Sequence, residues 1–126
     1  MGELIDKLTI LEIKRTKIKD KNKKKLILNE LNHLKKEFAG IKDKDKNLYI
    51  KISVLMDKLS VVNKKLWEIE DSIRRHESKK DFGDEFIQLA RQVYLNNDKR
   101  FNLKNKIDTM YNSEIQEVKE YEGFTA

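Results

Sequence analysis

Apolar residues fall along this chain in four helical rhythms. In the first, Leu4, Leu8, Leu11 and Ile18 share one face, and Ile5, Ile10 and Ile13 widen it. The spacing predicts a helix over about 3–18, apolar around much of its circumference and so buried on several sides. A basic run, Lys19 to Lys25, shifts the phase, and a loop or kink is expected there. Ile27, Leu31, Leu34 and Phe38 then carry a second helix, over about 25–39, which Ala39-Gly40 is expected to stop with Gly40 in the left-handed position.

The third rhythm is the most regular. Leu48, Ile52, Leu55, Leu59, Val62, Leu66, Ile69 and Ile73 alternate steps of four and three, a coiled-coil seam on a helix of about 46–78. Asp45 or Asn47 is the expected cap. Lys51, Lys58 and Lys65 recur at one flank, where their stems can cover the seam. Val54 and Val61 lie on another side and Trp67 on a third, so contact with further helices is expected, from this chain or a second copy. Gly83 is the expected flexible point of the following turn, with Asp84 as cap.

The fourth helix, about 84–112, carries Phe86, Leu89, Val93, Leu103, Ile107 and Met110, but its seam places Asn96 and Arg100 where apolar residues belong. Residues 113–126 read as a polar tail with anchors at Ile115, Val118, Tyr121 and Phe124. The fold expected is therefore all-α: one domain, 1–126, a helical bundle built on a long antiparallel helical hairpin with an N-terminal helix or helix pair packed against it.

Composition agrees with that pattern. Proline and cysteine are absent, there are four glycines, and 40% of residues are charged. Elements so rarely interrupted suit helices, and a chain without thiols has no disulfide or thiolate chemistry. No stretch is apolar enough to span a bilayer and the start, MGELID, is no signal peptide. Gly2 lacks the downstream Ser/Thr of a myristoylation signal. A cytoplasmic protein with no membrane partner is expected. The net charge of +6 is almost all lysine, in a chain also rich in Asn and Ile. A basic excess can mean nucleic acid or anionic lipid, but these are residues of AT-rich codons, so a solvated lysine surface is the plainer reading.

A hairpin turning near Asp81 pairs positions that sum to about 162. Arg91 then neighbours Glu70 and Asp71, Asn96 neighbours Leu66 and Trp67, and Arg100 neighbours Val62 and Asn63. The resulting polar band comprises Asn63, Glu70, Asp71, Arg91, Asn96, Asn97, Asp98 and Arg100. Asn at a seam often fixes register, but Arg and Asn donors between helices also suit an anionic ligand, and buried unpaired they would cost several kcal/mol. Trp67, Tyr94 and Phe101 form a candidate partner surface, although a packed indole is the commoner role for a lone Trp. Metal chemistry is not expected. His33 and His76 are far apart, and the one Glu-x-x-His, Glu30 to His33, lacks the second copy that a di-iron bundle requires. No nucleophile triad or Gly-rich phosphate loop is present, and no cofactor is expected.

The strings GELIDKLTILEIK, LWEIEDSIR, FIQLARQVYLNNDKRFNLKNKI and SEIQEVKEY resemble a family of small uncharacterised all-helical proteins of bacteria and phages. The likeness covers the chain except about Lys19 to Lys46. It implies a stand-alone helical domain and brings no catalytic residue. ELIDKLTILEIKR is also similar to the opening helix of the all-helical chorismate mutases, intertwined dimers whose cleft binds a dianion. That likeness implies a cation from Lys14 or Arg15 and another from Arg91 or Arg100, but the spacing from Ile5-Asp6 is shorter than that family's. The leading expectation is a non-enzymatic helical interaction or scaffold protein that self-associates, as a homodimer or with another protein. The alternatives are a module for an anionic ligand or nucleic acid, and a small-molecule enzyme.

Overall fold

The computed structural model describes the backbone of residues 1–125 and the side chains of residues 1–114. Four helices follow one another: α1 Gly2–Lys17, α2 Lys21–Lys44, α3 Lys46–Lys79 and α4 Asp84–Thr125. The protein is an all-α bundle. α3 and α4 form the longest antiparallel contact, α1 touches all three other helices, and α2 packs on α1 and α3.

Local chemistry explains each boundary. α1 ends where Ile18 turns extended. Asp20 then caps α2, its carboxylate accepting from the N–H groups of Asn22 and Lys23 at 2.9 and 3.2 Å. The basic run is thus mostly the first turn of α2, not a loop. Asp45 breaks α2 from α3 and accepts from the Leu48 N–H at 3.1 Å.

Three further boundaries correct the sequence reading. α2 runs through Gly40 to Lys44, because the 4-3-4-3 stripe from Ile27 continues to Ile41, which is buried. At the hairpin turn the left-handed residue is Lys80, with φ 52°, and not Gly83. The Lys80 N–H reaches the Glu77 carbonyl and the Asp81 N–H the His76 carbonyl, the paired bonds of a Schellman stop. Gly83, not Asp84, stands in the capping place, its carbonyl accepting from the Ile87 N–H. Finally, the backbone of α4 stays helical to Thr125, so residues 113–125 are no separate tail. The expected anchors Ile115, Val118, Tyr121 and Phe124 lie outside the described side chains.

The core gathers where α1 crosses the hairpin. Ile5, Leu31, Ile52, Leu59 and Ile107 are shut off from water. Burial of each such side chain is worth about 1.5–3 kcal/mol. The α3 seam is buried at Leu48, Ile52, Leu55, Leu59, Leu66 and Ile69 and half-buried at Val62 and Ile73. Val54 and Val61 remain open to water: they are 51% and 66% exposed.

Candidate functional site

The stripe Gly2, Asp6, Thr9 and Ile13 runs down α1, spaced 4-3-4 like the hairpin seams, and all four residues are buried. It puts a carboxylate inside the bundle. Asp6 is 3% exposed. Arg100 of α4 grips it with two bonds, Nε to Oδ1 at 2.9 Å and Nη2 to Oδ2 at 2.5 Å. Asn63 of α3 donates its amide to the same Oδ1 at 2.9 Å and to the Thr9 hydroxyl oxygen at 2.8 Å. Lys104, one turn beyond Arg100, lies 3.7 Å from Asp6 Oδ2 and also pairs with Glu3. Three helices therefore close on one acid.

Burial alone would push the Asp6 carboxyl up. The hydrogen bonds from Arg100 and Asn63, with the charges of Arg100 and Lys104, outweigh burial and hold it below the ordinary carboxylate value. The same contact raises Arg100 above the usual guanidinium value. The arrangement joins two helices to a third with no charge left over.

Just above, α1 and α4 approach backbone to backbone. The Gly2 N–H donates to Asp108 Oδ1 at 2.6 Å, the chief reason the Asp108 carboxyl sits below its ordinary value. A Cβ at Gly2 would stand 2.7 Å from the Lys104 carbonyl oxygen. The glycine is needed for space, not for backbone freedom.

Of the band expected from the sequence, only Asn63 and Arg100 meet, and they meet on Asp6. Asn96 is buried but turns back along its own helix, donating to the Gln92 carbonyl at 2.8 Å. Glu70 and Asp71 lie 3.9 and 3.7 Å from Arg74, on their own helix, rather than beside Arg91. Arg91, Asn97 and Asp98 are exposed, because the face of α4 they occupy points away from α3. Arg15, which the chorismate-mutase likeness would place in a cleft, is held by Glu12 at 2.9 Å, and Arg100 is spent on Asp6. The cations expected to converge on an anion do not converge.

Asp6 and Thr9 were missed by the sequence reading. Their signal was the 4-3-4 spacing of Gly2, Asp6, Thr9 and Ile13, a polar complement in α1 to the polar interruption in α4.

A cleft of about 350 Å³ opens between α1, α2 and α3, floored by Leu8, Phe38 and Met56. Its one lysine, Lys35, is bound at 2.8 Å to Glu12. Among the described residues no group of three or more His, Asp or Glu could hold a metal ion, and no helix is long and apolar enough to cross a membrane.

The outer face of α4 is different in kind. Ile87, Tyr94 and Phe101 recur every seven residues, on a side of α4 away from the buried seam, and are 51%, 54% and 62% exposed. Ala90 and Asn97 fall three places after the first two, also exposed. Arg91 and Asp98 border this stripe on one flank and have no ion-pair partner among the described residues. Trp67, half-buried on α3, is not among the exposed aromatic residues, as Tyr94 and Phe101 are. Comparison with family models, curated proteins and solved structures finds no match to this chain.

Proposed function

We propose that the protein is a non-enzymatic, self-associating helical module, and that two copies pair antiparallel through the outer face of α4. The observation that carries the reading is the second heptad stripe, Ile87, Ala90, Tyr94, Asn97 and Phe101, with Arg91 and Asp98 on the same flank. Such a stripe in water is the seam of a helix pair lacking its partner.

The flank favours a second copy of this chain as the occupant. A two-fold axis across an antiparallel helix pair brings each flank against the same flank of the other copy. Arg91 then faces the partner's Asp98, and Asp98 the partner's Arg91. In the same register Ala90 lies opposite the partner's Phe101 and Tyr94 opposite the partner's Asn97, a smaller side chain against an aromatic ring in these two layers. The chain complements itself in charge and in volume.

Sedimentation velocity tests this reading. The wild-type chain is expected to sediment as a dimer, and Tyr94→Glu/Phe101→Glu as a folded monomer with unchanged helicity. A wild-type chain monomeric throughout the micromolar range overturns it. An anion-binding or catalytic role has weaker support, since the one arginine in the buried cluster is already satisfied by Asp6.

A further inference from the structure

The excess positive charge is not spread over the surface. Lys17, Lys19, Lys21, Lys23, Lys24 and Lys25 face one acid, Asp20, so nine residues hold five of the chain's six net positive charges. The rest of the chain is nearly neutral. A compositional preference for lysine would scatter the excess. Here it sits at one place in the fold, the corner where α1 ends and α2 begins.

That corner is electrostatically unfavourable in the free protein. All six lysines are exposed, and none has an ion-pair partner among the described residues. The first turn of α2 has no acidic residue. Lys17 suits the dipole at the end of α1, but Lys21, Lys23 and Lys24 oppose that of α2, and neighbouring lysines repel one another. Asp20 is occupied as the cap of Asn22 and Lys23. A segment that breaks local rules without internal compensation is where an external partner is to be sought.

The partner must be a dense array of negative charge. Two observations favour an anionic lipid surface over a nucleic acid. The one arginine at the corner, Arg15, is tied to Glu12, so no free guanidinium is left for base or phosphate forks, and residues 14–28 contain no aromatic side chain to stack on a base. Leucines border the lysines instead: Leu26 is 69% exposed, the most exposed large apolar side chain among the described residues, and Leu28, on the other side of the buried Ile27, is 37% exposed. Lysines for headgroups beside leucines for the acyl boundary are what an anionic membrane interface accepts. We infer that the α1–α2 corner docks the protein peripherally on anionic lipid, a surface contact and not a span, independent of pairing through α4.

Vesicle flotation tests it, with phosphatidylcholine vesicles with and without phosphatidylglycerol. The wild-type chain is expected to float only with the anionic vesicles, and to be released by high salt. Lys23→Gln/Lys24→Gln/Lys25→Gln is expected to lose about a hundredfold in affinity, since each lysine near such a surface is worth about fivefold. Lys36→Gln/Lys44→Gln/Lys46→Gln, the same charge change elsewhere, is expected to lose far less. Lys23→Glu/Lys24→Glu, which suits the helix dipole, is expected to raise the melting temperature while abolishing flotation, so loss of binding is separated from loss of fold. Equal losses from both glutamine triples, no flotation of wild type, or capture of duplex DNA without capture of anionic vesicles would each overturn the inference.

Discussion

Removing the Arg100 guanidinium leaves Asp6 a buried charge with the Asn63 amide as its hydrogen-bond donor and Lys104, 3.7 Å away, as the nearby cation. Breaking such a pair is costly, and with Arg100 partly open to water the expected loss for Arg100→Ala is about 2–4 kcal/mol. Arg91→Ala, on the exposed face, is expected to leave the fold's stability unchanged. Urea unfolding of the two variants, each with helicity followed by circular dichroism, checks the contrast. The Asp6 carboxyl also sets an acid limit. Its folded pKa lies below the ordinary value, so its contribution is complete above that value, near pH 4, and is lost as pH falls through the lower folded value. Unfolding free energy measured against pH is expected to fall on the acid side, and Asp6→Asn, less stable at neutral pH, to fall less steeply; Glu12 and Asp108, depressed likewise, keep some slope. Gly2→Ala forces a methyl against the Lys104 carbonyl, and thermal melting is expected to report about 1–3 kcal/mol of destabilisation.

Among the elements, two positions carry residues less suited than their alternatives. Gly40 is in the interior of α2 with open space where a Cβ would stand, so Gly40→Ala is expected to gain about 1 kcal/mol. Lys80 holds a left-handed conformation in which glycine is the ordinary residue, so Lys80→Gly is expected to be neutral or stabilising, against the usual cost of adding a glycine. Chemical denaturation of both variants tests the boundaries directly. These positions also show what the sequence could and could not disclose. The α3 seam was legible because a period of seven over many turns has one structural meaning. Gly40 misled because glycine permits a left-handed stop without demanding one, and the burial of Ile41 decided against it. Asp6 escaped notice because α1 has two buried stripes, and the leucine–isoleucine stripe is louder than one of glycine, aspartate and threonine. Arg100 was recognised as out of place in its seam, but an unpaired arginine on one helix does not say which acid, fifty or a hundred residues away, will answer it.

In the whole molecule, one set of polar groups is satisfied and one is not. Inside, Arg100, Asn63 and Thr9 converge on Asp6, and no described buried side-chain nitrogen or oxygen lacks a partner. Such a cluster specifies how α1 sits on the hairpin. Outside, the α4 stripe and the lysine corner have no complement within the described chain. The interior accounts for the fold, and the exterior is where function is to be sought. The central claim is that α4 is a seam shared by two copies, and charge exchange tests it without disturbing the interior. Light scattering should give the wild-type chain twice its 15.0 kDa. Arg91→Asp should move it toward monomer at the same concentration, because acids would then face each other across both flanks. Arg91→Asp/Asp98→Arg should restore the dimer mass. If the single exchange leaves the mass unchanged, or the double exchange fails to recover it, the antiparallel α4 pairing is wrong.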